Sequence, residues 1–212
     1  MATPPENAES AAPGMVWVPG GSFVMGSNAH YPEERPAHPR RVDGFWMDRT
    51  AVTNAEFARF VAETGYVTTA ELPPDAAEAA ALAPALRHAG SLVFHKTDGP
   101  VPLDDVAQWW RFVPGASWRH PRGPGSDIAG DGALPVVHVS AGDALAYAHW
   151  AGKDLPDEAE WEYAARGGCP DDQIWSWGHH LTDDGRPMAN TWQGEFPWQD
   201  LALDGYAGIA PA

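Results

Sequence analysis

The sequence predicts one loop-rich globular domain in which short strands and short helices punctuate long irregular stretches. Three observations predict it. The chain has 212 residues, 44% of them hydrophobic and eleven of them Trp, enough apolar surface for a sizeable single core. Its 22 Gly and 21 Pro make up about a fifth of the chain, below the share of low-complexity disorder but enough to interrupt regular elements repeatedly. The periodic stretches are short, and they switch between two-residue alternation and helical spacing.

Residues 1–14, MATPPENAESAAPG, are rich in Ala, Pro and Glu without periodicity and predict a disordered tail, so the domain is placed at 15–212. Val16 and Val18, then Phe23 and Met25, alternate on either side of Gly20-Gly21, as two strands joined by a glycine turn would, which predicts a β-hairpin. Thr53 and Glu56 form a capping-box pattern, Phe57, Phe60 and Val61 share a helical face, and Gly65 ends the run; a helix is expected over 54–64. The stretch ELPPDAAEAAALAPALRHAG from Glu71 to Gly90 has alanines that favour helix but too few large apolar residues to anchor one, and reads as a surface excursion. Ser140 and Asp143 open a second helix, with Ala144, Tyr147, Ala148 and Ala151 as its buried stripe and Gly152 as its stop. In LPDEAEWEYAARGG, Asp157 is the N-cap after Pro156, Glu160 can reach back to the cap amide, and Gly167-Gly168 supply a left-handed stop. A third helix over 157–166 follows, with its aromatic face, Trp161 and Tyr163, expected to be buried. From Trp175 onward no period persists, so something other than a regular ladder must order the segment.

Composition removes several function classes. A net charge of −16 with only 13 Lys and Arg argues against nucleic-acid binding and favours a basic peptide as partner. No apolar run approaches the ~20 residues of a membrane span, and the first residues lack the basic and apolar regions of a secretory signal. The chain is therefore read as soluble, cytoplasmic and monomeric. One cysteine excludes an internal disulfide, in agreement with a reducing compartment.

Taken residue by residue, the chemistry is sparse. Asn190 and Asp204 offer hard oxygen ligands on either side of a glycine-bearing loop, which suits calcium, an ion that also accepts backbone carbonyls; a polar surface loop fits the same side chains. His179 and His180 are adjacent, so their rings diverge, and no metal-binding spacing accompanies them. Cys169 has carboxylates nearby that oppose thiolate formation. The acids Asp157, Glu158, Glu160 and Glu162 are explained as helix-start chemistry. Asp75, after Pro73-Pro74, reads by itself as a solvated turn residue, and Trp109 and Trp110 as core.

Eight blocks then change the reading: MVWVPGGSFVMGS (Met15–Ser27), YPEERPAHPRRVDGFWMDRTAVTNAEFARFV (Tyr31–Val61), GYVTTAE (Gly65–Glu71), SWRHPRGP (Ser117–Pro124), PVVHVS (Pro135–Ser140), YAHWAGK (Tyr147–Lys153), LPDEAEWEYAARGG (Leu155–Gly168) and ANTWQGEFP (Ala189–Pro197). In this order they closely resemble the formylglycine-generating enzymes, and the SWRHP and ANTWQGEFP blocks point to that branch of its superfamily. The resemblance implies an α+β fold with little regular structure, related to C-type lectins. It implies copper-dependent oxidation by O2 of the cysteine in a Cys-x-Pro-x-Arg motif of unfolded sulfatases to formylglycine, with Cu(I) held by a cysteine pair, soft ligands suited to that ion. It places a structural calcium on the Asn190 side chain, the Thr191 carbonyl, the Asp204 side chain and the Tyr206 carbonyl. It puts Ala70, Asp75, Trp109 and Trp110 beside the substrate peptide, where Asp75 would pair with the substrate arginine and Trp109 would pack on that guanidinium or on the proline ring. His120 and His138 occupy positions the family also fills with histidine, and structural hydrogen bonds are expected of them. The family's cysteine pair lies in a C-terminal segment absent from this chain, so no catalytic residue is assigned, and the chain is expected to be truncated and inactive alone. The alternatives are a non-catalytic calcium- and peptide-binding module of the same fold, or a truncated, non-functional gene product.

Overall fold

A computed structural model describes residues 14–169 and 173–212, so the tail expected over 1–14 falls, but for Gly14, outside the described residues. The chain divides into two compact units, one of Met1–Thr50 with Pro156–Met188, the other of Ala51–Leu155 with Ala189–Ala212. Helices and small antiparallel two-stranded sheets are interleaved along it, the α+β character expected.

In the first unit, β1 (Met15–Val18) pairs with β4 (Phe45–Asp48) and β2 (Gly21–Met25) with β3 (His38–Val42). The hairpin expected across Gly20-Gly21 is therefore corrected: β1 and β2 are both strands, but they run on as one arm against a second arm made of β3 and β4. A Cβ on Gly20 would lie 2.6 Å from the Gly44 nitrogen and 2.7 Å from the Val42 carbonyl oxygen, so the glycine serves a close approach of two backbones and not a reversal. Alternation identifies a strand; it does not name the partner.

Helix α4 (Glu158–Arg166) packs on β2 and β3. Asp157 and Glu160 close the expected capping box, the Glu160 amide donating to Asp157 Oδ1 at 2.7 Å and the Asp157 amide to Glu160 Oε2 at 2.9 Å, and Gly167 ends the helix at φ 61°. Its aromatic face is a second correction. Trp161 is 61% exposed, while Tyr163 packs on Phe23 with ring centroids 5.3 Å apart. Residues two apart point about 200° away from each other around a helix, so only one of the two could face the strands. Glu162 locks the contact, accepting from the Gly26 amide at 3.0 Å and from Arg166 at 2.7 Å. The core here is Phe23, Met25, Val42 and Ala159.

The second unit is built on α1 (Asn54–Thr64) and α3 (Ala141–Trp150), with the sheet β5 (Gly90–Phe94) and β6 (Trp110–Pro114). Both helices start where expected, on Thr53 with Glu56 and on Ser140 with Asp143, and α1 stops at Gly65 with φ 69°. Their shared core is aromatic: Phe57 meets Trp118 edge-on at 5.2 Å and Tyr147 face-on at 5.9 Å, and Phe60 meets Tyr66 at 5.1 Å and Trp150 at 5.5 Å. The expected surface excursion holds a short α-helix, α2 (Ala76–Ala81), and a 3-10 turn at Pro84–Leu86, neither of which buries a residue. Residues 189–212 form no strand or helix, only turns and bends.

Candidate functional site

Every residue expected to bind peptide or calcium lies in the second unit. Ala70 sits in a 3-10 turn, Thr69–Glu71, pinned from both sides. Thr68, fully buried, caps the turn: its amide and hydroxyl donate to Glu71 Oε2 at 3.0 and 2.9 Å, and Glu71 Oε1 accepts from Arg119 Nε at 3.1 Å. Burial pushes the Glu71 carboxyl up, but the Thr68 amide and hydroxyl and the Arg119 charge outweigh it and leave its pKa below the usual 4.5. The Arg119 guanidinium in turn lies 4.3 Å over the ring of Trp118.

Asp75 is the exposed N-cap of α2, its Oδ1 accepting from the Ala77 and Glu78 amides at 2.8 Å each. Both hydrogen bonds fall on one oxygen. Trp110 starts the return strand of the β5–β6 sheet, Trp109 lies just before it, and the two diverge: Trp109 is buried at 6% exposure, edge-on to Phe196 at 5.1 Å, while Trp110 is 42% exposed and edge-on to Phe94 at 5.6 Å. Of the pair, Trp110 is the ring solvent can reach.

The same aromatics hold the C-terminal stretch. Trp192 and Phe196 pack on Phe94 and on each other, and the Thr97 amide donates to the Pro197 carbonyl at 3.2 Å. The loop then closes on itself. The Leu201 amide donates to the Gln193 carbonyl at 2.7 Å, the Asp204 amide to Gln193 Oε1 at 3.0 Å, and Asn190 Nδ2 to the Gly208 carbonyl at 2.8 Å. Asp204 Oδ1 accepts from the Tyr206 amide at 3.0 Å, yet its Oδ2 is buried with no hydrogen-bond partner. An orphaned carboxylate oxygen is costly inside a protein, and a hard cation relieves that cost. Asn190, its amide nitrogen engaged, has its carbonyl oxygen left to give. The orphaned Asp204 Oδ2 is of the kind a hard cation such as the expected calcium would take. Among the described residues no group of three or more His, Cys, Asp or Glu could hold a metal ion, and two side chains helped by two carbonyls is not such a group.

Copper does not fit in the same way. Cys169 is the chain's single cysteine, and its Sγ donates to the Ser176 carbonyl at 2.8 Å in the first unit. Two thiolates cannot come from it. His138 is held at both ring nitrogens, by Ser91 Oγ at 2.9 Å and the Pro121 carbonyl at 2.8 Å, and His120 Nδ1 lies 2.6 Å from the Ser126 carbonyl, the structural roles expected. His179 and His180 are exposed.

The sulfatase-modifying factor enzyme 1-like domain matches residues 1–212, the full length. The chain belongs to this family. It is 52% identical over 202 residues to a formylglycine-generating enzyme of Mycobacterium tuberculosis, covering 93% of this chain and 65% of that one. A Thermomonospora curvata protein of the same name is 47% identical over 217 residues, 98% of this chain and 66% of its own length. A Mus musculus protein named inactive C-alpha-formylglycine-generating enzyme 2 is 41% identical over 208 residues, 94% of this chain and 61% of its own. The chain thus spans less than two thirds of the length of each of these relatives.

One member of the site was missed from sequence. Asp143, 1% exposed, was expected to cap α3 and does, but it also accepts from Tyr66 and Thr69, residues more than seventy positions upstream. No local pattern carries that link. The Thr68–Glu71 capping box had a local signal, Thr-x-x-Glu inside GYVTTAE.

Proposed function

We propose that this chain carries the peptide-recognition and calcium-binding part of a formylglycine-generating activity toward sulfatases. Its substrate is an unfolded sulfatase segment bearing Cys-x-Pro-x-Arg, whose cysteine is oxidised to formylglycine with O2 and copper. The observation that carries this reading is the 47–52% identity to formylglycine-generating enzymes over nearly the whole chain. In it, Ala70 and the α2 cap Asp75 line the peptide, Asp75 meets the substrate arginine with the oxygen its cap leaves open, and Trp110, with Trp109 beneath it, offers an aromatic face to the proline. Calcium held by Asn190, Thr191, Asp204 and Tyr206 orders the stretch that packs on those tryptophans. The chain's own residues bind and orient the cysteine; they supply no thiolate pair for copper.

A second reading, a binding module that oxidises nothing, is favoured by the single cysteine and by a relative named as inactive. Both readings agree on the peptide and differ on turnover. Incubation of the 212-residue chain with Cu(I), reductant, O2 and a Cys-x-Pro-x-Arg peptide, followed by mass spectrometry, is expected to yield no formylglycine above background. Adding the cysteine-pair segment of an active relative is expected to give product, and its absence even then favours the module. Formylglycine made by the chain alone would overturn the requirement for a second thiolate.

A further inference from the structure

We infer that Asp143 is a positioning residue for the peptide groove: its buried carboxylate fixes the turn at Thr69–Glu71 and so the wall that Ala70 provides. This rests on the placement of Ala70 beside the peptide under the function proposed above. A helix cap needs only the Ser140–Asp143 box, the Ser140 amide donating to Asp143 Oδ2 at 2.8 Å and the Asp143 amide to Ser140 Oγ at 3.2 Å. The carboxylate does more. Oδ1 accepts from the Tyr66 hydroxyl at 3.0 Å, the Thr69 amide at 3.1 Å and the Thr69 hydroxyl at 3.3 Å, and Thr69 Oγ1 lies 2.8 Å from Ser140 Oγ. A carboxylate that is 1% exposed costs stability unless its lone pairs are filled, and here most of the filling comes from the turn.

The turn's other end is held separately, by Glu71 on Thr68 and Arg119. Ala70 lies between the two anchors. Its side chain has no polar group with which to fix itself, so its place beside a peptide is decided by its neighbours. Burial and the hydrogen bond to Asp143 raise the Tyr66 pKa, so the phenol stays protonated and keeps donating across the neutral range.

The experiment is calorimetric titration of a Cys-x-Pro-x-Arg peptide into wild type, Asp143→Asn, Thr69→Val and, as a control at the matching acid of the α4 capping box, Glu160→Gln, at a temperature where circular dichroism shows each fully folded. Asparagine at 143 keeps the size and the backbone hydrogen bond from residue 143 to the Ser140 cap hydroxyl but replaces one acceptor oxygen with a donor. Loss of a hydrogen bond to a charged group is expected to raise the peptide Kd about ten-fold in Asp143→Asn and a few-fold in Thr69→Val, which leaves the cap intact should the first variant fold poorly. Glu160→Gln is expected to lower the melting temperature slightly and leave Kd unchanged. Wild-type affinity in folded Thr69→Val and Asp143→Asn would overturn the positioning role while leaving the groove in place. No binding by wild type would remove the groove, and the inference with it.

Discussion

Asp204 illustrates how one atom decides a reading: one of its oxygens takes the Tyr206 amide, and the other is buried without a partner. If calcium fills that gap, it binds the folded chain alone, and at about 100 times its dissociation constant it adds about 2.7 kcal/mol. Scanning calorimetry after chelation is expected to show the melting temperature rise on readdition of calcium, and Asp204→Ala to lose most of the rise; an unmoved wild-type curve rejects the site. Glu71 makes the second prediction at this scale. Its folded pKa lies below 4.5, lowered by Thr68 and Arg119 against the effect of burial. A depressed carboxylate contributes stability that is present above its unfolded value, about 4.3, and is lost as pH falls through the folded one. The acid limb of the stability curve is thus expected to be shallower in Glu71→Gln, measured by urea unfolding at stepped pH; parallel limbs would show that the Arg119 contact contributes nothing. The residue scale was also where the sequence was least legible. Asp204 and Asn190 read equally as oxygen ligands or as a polar surface loop, and the long-range load on Asp143 carried no signal at all.

Elements were legible where a local cap is followed by a buried apolar face; α2, which has the Asp75–Glu78 cap but buries no residue, was not read as a helix. The helices at Thr53, Ser140 and Asp157 announce themselves by a cap, an acid three residues on and a glycine beyond, and each was found at its expected place. The strands β1 and β2 were legible as strands, but their pairing was not, since the partner of Val16 is Met47 and that of Phe23 is Arg40, in strands the sequence did not announce. Trp161 was misjudged because hydrophobicity was counted without its angle around the helix. The caps give a prediction for α1: Thr53→Ala is expected to cost about 1 kcal/mol, since it leaves the Glu56 amide without its acceptor. Phe57→Ala, which empties the centre of the aromatic core, is expected to cost about 3 to 5 kcal/mol. Urea denaturation of both variants orders the two effects, and equal costs would mean that α1 is held by its cap and not by its buried face.

At the scale of the whole molecule the family match runs through both units, while the residues proposed to line the peptide and to hold calcium fall within the second. A net charge of −16 disfavours phosphate backbones and accords with the arginine-bearing peptide proposed as partner. Among the described residues no helix is long and apolar enough to cross a membrane. The blocks that carried the family resemblance are those in which caps, glycines and aromatics do structural work, which is why the fold was readable from them and the metal chemistry was not. The central claim is that this chain recognises a Cys-x-Pro-x-Arg peptide through an acidic groove at Asp75. Its most direct test is calorimetric titration of that peptide into the calcium-loaded chain, beside Asp75→Asn, which keeps the α2 cap because asparagine caps as well as aspartate. An exposed ion pair contributes about 0.2 to 1 kcal/mol, so saturable binding is expected for wild type, weakened a few-fold in the variant, with the difference shrinking in high salt. A peptide that binds neither protein, or binds both equally at every salt concentration, would contradict it.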